Sequence, residues 1–170
     1  MADKFLISRQ EVDFRVGRHR FLAAFSRSSN GSKTSIRWNG CREELVVRPG
    51  TIRMRRFDNR NLRYRIDIER QAKDLYRAVL ISGAKRNVSE GSHVSLARDL
   101  KRLIAGSGKR GQPDPAAAAL RRAGKLPSLS LRIIIDYDPE DCDLYCALCD
   151  AGILPAINCT LCANCKGLFG

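Results

Sequence analysis

The feature that most restricts what this chain can become is a cluster of thiols towards one end. Six of its seven cysteines lie between Cys142 and Cys165 in a chain of 170 residues. Cys146 and Cys149 form one CxxC pair, Cys159 and Cys162 form a second, and nine residues separate them. A two-residue spacer lets both thiolates of one turn face a single tetrahedral ion, and a second such turn closes its shell. The frame predicts a structural zinc held by Cys146, Cys149, Cys159 and Cys162, with Cys142 and Cys165 as alternate ligands. Buried or disulfide-bonded cysteines are the competing reading.

Upstream, residues 4–70 read as strands. Val12, Phe14 and Val16 alternate with Asp13 and Arg15, and Phe21, Ala23 and Phe25 begin a second run of period two. Asn30-Gly31, Asn39-Gly40 and Pro49-Gly50 are turn signals. Ile52 and Met54, then Leu62, Tyr64, Ile66 and Ile68, alternate with arginines and acids across a loop at Asp58–Asn61. They predict a long hairpin whose apolar residues face the core.

After residue 70 the period changes. Leu75, Tyr76, Val79 and Leu80 fit a helix ending near Gly83. Leu96, Leu100, Leu103 and Ile104 fit another, capped by Ser92 or Ser95 and stopped at Gly106. A glycine-rich basic linker follows, then a short helix from Asp114 and a strand at Leu129–Ile135. The expected fold is α+β: an antiparallel meander of four to five strands, then amphipathic helices, then a small zinc module. The expected divisions are a basic body at 1–105, a linker with short elements at 106–135, and an acidic module at 136–170.

Charge separates these parts. The net charge is +13, distributed as +9 in residues 1–70, +9 in 71–135 and −5 in 136–170. A basic body of this size favours polyanions, foremost nucleic acid. If Ile52, Met54, Leu62, Tyr64 and Ile66 face inward, Arg53, Arg55, Arg63 and Arg65 share the opposite face, with Arg56 and Arg60 adding charge at the loop. Guanidinium groups pair with phosphate and stack on bases, and Phe57 stands among them. A basic sheet, rather than a recognition helix, favours RNA or another single strand. The acidic tail is expected to avoid phosphate, to offer residues 142–170 to a protein partner, and to fold over the basic face in competition with RNA. Its run from Asp136 to Asp143 reads as a solvated acidic loop.

His19 and His93 stand apart from the cysteines, and the residues suggest no catalytic set, so a binding protein is expected rather than an enzyme. No apolar run approaches the length of a membrane span, and the first residues do not resemble a signal peptide. An intracellular protein of cytoplasm or nucleus is expected, and Lys109-Arg110 with Arg121-Arg122 and Lys125 has the spacing of a bipartite nuclear-import signal.

Several resemblances extend this reading. Strands followed by an amphipathic helix in residues 4–82 are similar in element order to the PUR repeat and the Whirly domain, which bind single-stranded nucleic acid. Cys142, Cys146 and Cys149 resemble the radical-SAM spacing, without room for the barrel that should follow. Cys159, Cys162 and Cys165 resemble ferredoxins, without the fourth cysteine and proline. These imply an iron–sulfur cluster as the alternative to zinc. A basic body with Arg53–Arg65 beside Cys142–Cys165 resembles the accessory proteins of RNA viruses, particularly plant-virus suppressors of RNA silencing. That likeness implies sequestration of small RNA or blockade of a host factor. The other function class is a protein-interaction adaptor that works through the cysteine module.

Overall fold

A computed structural model describes residues 6–28, 31–107, 119 and 139–154. Eight strands form one antiparallel sheet in which sequence neighbours are also spatial neighbours. They are β1 (Leu6–Val16), β2 (His19–Ser28), β3 (Gly31–Trp38), β4 (Cys41–Arg48), β5 (Thr51–Asp58), β6 (Asn61–Ala72), β7 (Leu75–Ser82) and β8 (Lys85–Gly91). Two helices follow, α1 (His93–Ser107) and α2 (Cys142–Asp150), the second entered through a single 3-10 turn at Pro139–Asp141. The class is α+β, with more strands than the four to five expected.

Two-residue connections produce this meander. Asn39 and Gly40 have φ of +44° and +79°, and Asn59 and Arg60 have +49° and +72°. Positive φ at both central residues is the turn whose twist matches a right-twisted hairpin. Gly31 answers a different demand: at φ +138° a Cβ there would lie 2.1 Å from the Val47 carbonyl oxygen, so only hydrogen fits between β3 and β4.

The segment expected to be helical at 75–83 is β7. Tyr76, Ala78 and Leu80 point inward with period two, while Leu75 and Val79 lie on the other face and supplied the false helical spacing. Gly83 is a hairpin turn at φ +59° rather than a helix stop. Leu62 is also corrected. The register shifts between Arg56 and Phe57, Leu62 pairs with Phe57, and its side chain is 45% exposed. The helix from Asp114 and the strand at 129–135 fall outside the described residues, apart from residue 119, which is helical.

One sheet face carries the core in two clusters. Over β4–β8, Leu45, Val47, Ile52, Met54, Tyr64, Ile66, Ile68, Tyr76, Ala78 and Leu80 pack with Leu96, Ala97 and Leu100 of α1. Leu144, Tyr145 and Leu148 of α2 belong to the same cluster, together with Ile153 and Leu154. Burying one such side chain stabilises by about 1.5–3 kcal/mol, so α2 is held to the sheet by several of these. A second cluster over β2 and β3 joins Phe21, Ala23, Phe25, Ile36 and Trp38. Ser92 caps α1, its hydroxyl accepting from the Ser95 amide at 3.3 Å. The Asp74 carboxylate accepts from both the amide and the ring of His93, and these bonds hold its pKa below the usual range.

The face that the helices cover is the one opposite Arg53, Arg55 and Arg65. The described part of the acidic tail therefore does not lie over the basic face, where the tail was expected to fold. The tail's apolar residues win that choice: Leu144, Tyr145 and Leu148 gain more from the core than surface acids gain from screened attraction to arginine. Nor is the acidic run wholly solvated. Asp141 is buried, and its carboxylate accepts from Arg70 Nη1 at 3.1 Å, Tyr76 Oη at 3.0 Å and the Gly50 amide at 3.2 Å. It occupies the N-cap position of α2 without capping that helix, because it is turned to the sheet instead.

Candidate nucleic-acid interface

The outer sheet face is built by the same alternation that builds the core. Ile52 and Met54 turn inward, so Arg53 and Arg55 turn outward; Tyr64 and Ile66 do the same for Arg63 and Arg65. β3 adds Lys33 and Arg37 to this face, and β4 adds Arg42 and Arg48. Against these eight cations stand three outward carboxylates on the same four strands, Glu44, Asp67 and Glu69.

Two of these carboxylates are shared. Glu44 lies 3.2 Å from Arg42 Nε and 2.8 Å from Arg55 Nη2. Asp67 lies 2.7 Å from Arg53 Nε and 3.1 Å from Arg65 Nε. Each acid spaces two arginines that would otherwise repel across the strands, and each triplet keeps one net positive charge. Phe57 carries the Arg42 guanidinium 4.3 Å above its ring centroid, with that of Arg55 at 5.9 Å. Arg63 is the looser member of the set, 3.8 Å from Asp58.

The expected site residues divide into three groups. Arg53, Arg55, Arg63 and Arg65 share the outer face as anticipated. Arg60 sits exposed in the β5–β6 turn. Arg56 belongs elsewhere: it points inward, is 6% exposed, and bonds Glu43 at 2.8 Å and Asp58 at 3.0 Å while stacking 4.7 Å from the Trp38 ring centroid. Burial opposes its charge, but Glu43 and Asp58 outweigh that and raise its pKa, so it remains a cation of the interior. It is an internal strut and not part of the surface. Lys33, Arg37, Arg42 and Arg48 were missed, although the Lys33-Ser35-Arg37 alternation against Ile36 and Trp38 carried the signal.

Of the cysteines, Cys142, Cys146 and Cys149 lie on α2 at i, i+4 and i+7, one stripe of that helix. Leu144, Tyr145 and Leu148 form the stripe that meets the core. All three cysteines are disulfide-bonded, whereas Cys41 of β4 is not. Cys159, Cys162 and Cys165 lie outside the described residues. Among the described residues no group of three or more His, Cys, Asp or Glu side chains is arranged to hold a metal, and no helix is long and apolar enough to cross a membrane.

Compared with family models, curated proteins and solved structures, the chain matches none.

Proposed function

We propose that this chain is a non-enzymatic nucleic-acid-binding protein that takes single-stranded RNA across the outer face of its sheet. The observation that carries the reading is the excess of cations on that face, eight against three, in a molecule whose other face is committed to its core. A face of arginines around the half-buried Phe57 ring suits phosphates and unstacked bases, and an extended sheet suits a single strand better than a groove of duplex. In line with the likeness to silencing suppressors, small RNA in cytoplasm or nucleus is the proposed ligand.

Binding of a mixed-sequence single-stranded RNA is expected to weaken steeply as salt rises, because each neutralised phosphate releases counterions. Replacing Arg53, Arg55, Arg63 and Arg65 together by Ala should lower affinity at least tenfold at moderate salt. Unchanged affinity, in a variant whose circular dichroism still matches the parent, would sink the proposal.

The cysteine helix is proposed to brace the fold rather than touch RNA, and zinc is proposed as its ion in the reduced state. Thiolates from the α2 stripe and from the second CxxC pair are soft donors suited to it. Sulfurs engaged in disulfides cannot serve as thiolate ligands, so the two states exclude each other. Protein prepared under reductant with zinc should retain about one equivalent per chain after dialysis. A brown, absorbing preparation would indicate an iron–sulfur cluster instead. A metal-free protein whose mass lacks a pair of hydrogens for each disulfide would assign the brace to disulfides alone.

A further inference from the structure

We infer that phosphate is engaged first at a trough over β2–β4, with Lys33 and Arg37 as its direct contacts, and only secondarily by the arginines of the β5–β6 hairpin. This rests on the nucleic-acid reading above and locates its site. The trough encloses about 450 Å3 on the outer face. Its floor is Ala24, Ser26 and Ser35, and its rim includes Lys33, Arg37 and Arg42 together with Glu44, whose carboxylate is taken up by Arg42 and Arg55. Ala24 pairs with Ser35 and Ser26 with Lys33 in the β2–β3 register, so short side chains stand beside long cationic ones. A phosphate entering there approaches the sheet closely. Two hydroxyls can donate from below while an ammonium and a guanidinium close from the sides.

The pairing state of the cations decides between the two locations. Arg53 is hydrogen-bonded to Asp67, Arg65 is ion-paired with the same carboxylate and Arg55 with Glu44, so a phosphate that recruits them must first compete with a carboxylate. Neither Lys33 nor Arg37 has a partner among the described residues. Their charges are available at no such cost. They lie four residues apart on one strand, their Cα atoms about 13 Å apart at the usual rise per residue, so each can also take a separate phosphate of one strand. The ligand this spacing suits is therefore an oligonucleotide, with a mononucleotide bound far more weakly.

The experiment measures affinity of the full chain for single-stranded RNA over a salt series. Two variants each remove two charges: Lys33→Gln with Arg37→Gln, and Arg53→Gln with Arg65→Gln. Loss of two direct phosphate contacts should reduce the slope of log affinity against log salt by about 1.4, at about 0.7 per contact for a single strand. The trough variant is expected to show that reduction and at least a tenfold weakening. The hairpin variant should show less than half of either change. Equal effects, or a larger one in the hairpin variant, would overturn the trough while leaving the function intact. If the parent protein shows no salt-dependent RNA binding, the underlying reading fails instead.

Discussion

Replacing Arg56 by Met should destabilise the protein by about 3–5 kcal/mol, the usual consequence of stranding one member of a buried ion pair. Glu43 is 6% exposed and takes a bond from Arg56 at 2.8 Å; the substitution removes that guanidinium from a buried carboxylate. The penalty belongs to the charged acid, so burial would raise the Glu43 pKa in the variant. A group whose folded pKa is raised costs stability at higher pH and ceases to do so as pH falls through that pKa. The deficit in urea midpoint between variant and parent should accordingly narrow on acidification. A double variant, Arg56→Met with Glu43→Leu, is expected to recover most of the loss, since well-packed apolar groups often replace a buried pair at little cost. A single variant as stable as the parent at neutral pH would show that Arg56 is not the internal strut described here.

Arg56 also shows how far the sequence could be read. The alternation that places Ile52 and Met54 inward continues to position 56, so its burial was implied by parity; its charge and its nearness to the loop argued the other way. The acids that make its burial tolerable, Glu43 and Asp58, come from the neighbouring strand and its own strand end, and pairing across strands is not visible in a linear pattern. The four outward arginines were legible because Tyr64, Ile66, Ile52 and Met54 alternate cleanly. Lys33 and Arg37 were equally regular but had no arginine-rich neighbours to draw notice. β7 was misread because apolar residues on both faces, Tyr76 and Leu80 inward with Leu75 and Val79 outward, satisfy a helical and a strand pattern alike. The turns were the better guide there. Hairpin connections at 39–40, 49–50 and 59–60 recur every ten residues, and 73–74 and 83–84 repeat that interval. Cysteine spacing did not reveal conformation: Cys142, Cys146 and Cys149 suit a helix stripe as well as a knuckle turn.

The second large effect is expected at Asp141, which fastens the cysteine helix to the sheet. Asp141→Ala should cost about 2–4 kcal/mol, because it removes an acceptor from three donors at once, among them the Tyr76 hydroxyl and the partly buried Arg70. In the parent, burial, the Asp141 charge and the hydrogen bond together hold the Tyr76 hydroxyl protonated well above its ordinary range, so it remains a donor across the accessible pH scale. Asp141→Asn retains an acceptor oxygen but not the charge that faces Arg70, and should lose about half as much. Asp143→Ala, two residues on and exposed, is the control and should change stability by no more than about 0.5 kcal/mol. Chemical denaturation of all three variants, under reductant and without it, checks the ranking. Without reductant the disulfides at Cys142, Cys146 and Cys149 still restrain α2, and the loss at Asp141 should shrink. Under reductant that restraint is gone and the carboxylate carries the docking with Leu144, Tyr145 and Leu148. A loss at Asp141 that ignores the reductant would separate the cysteine brace from the latch, and would mean that the two ends of α2 are held independently.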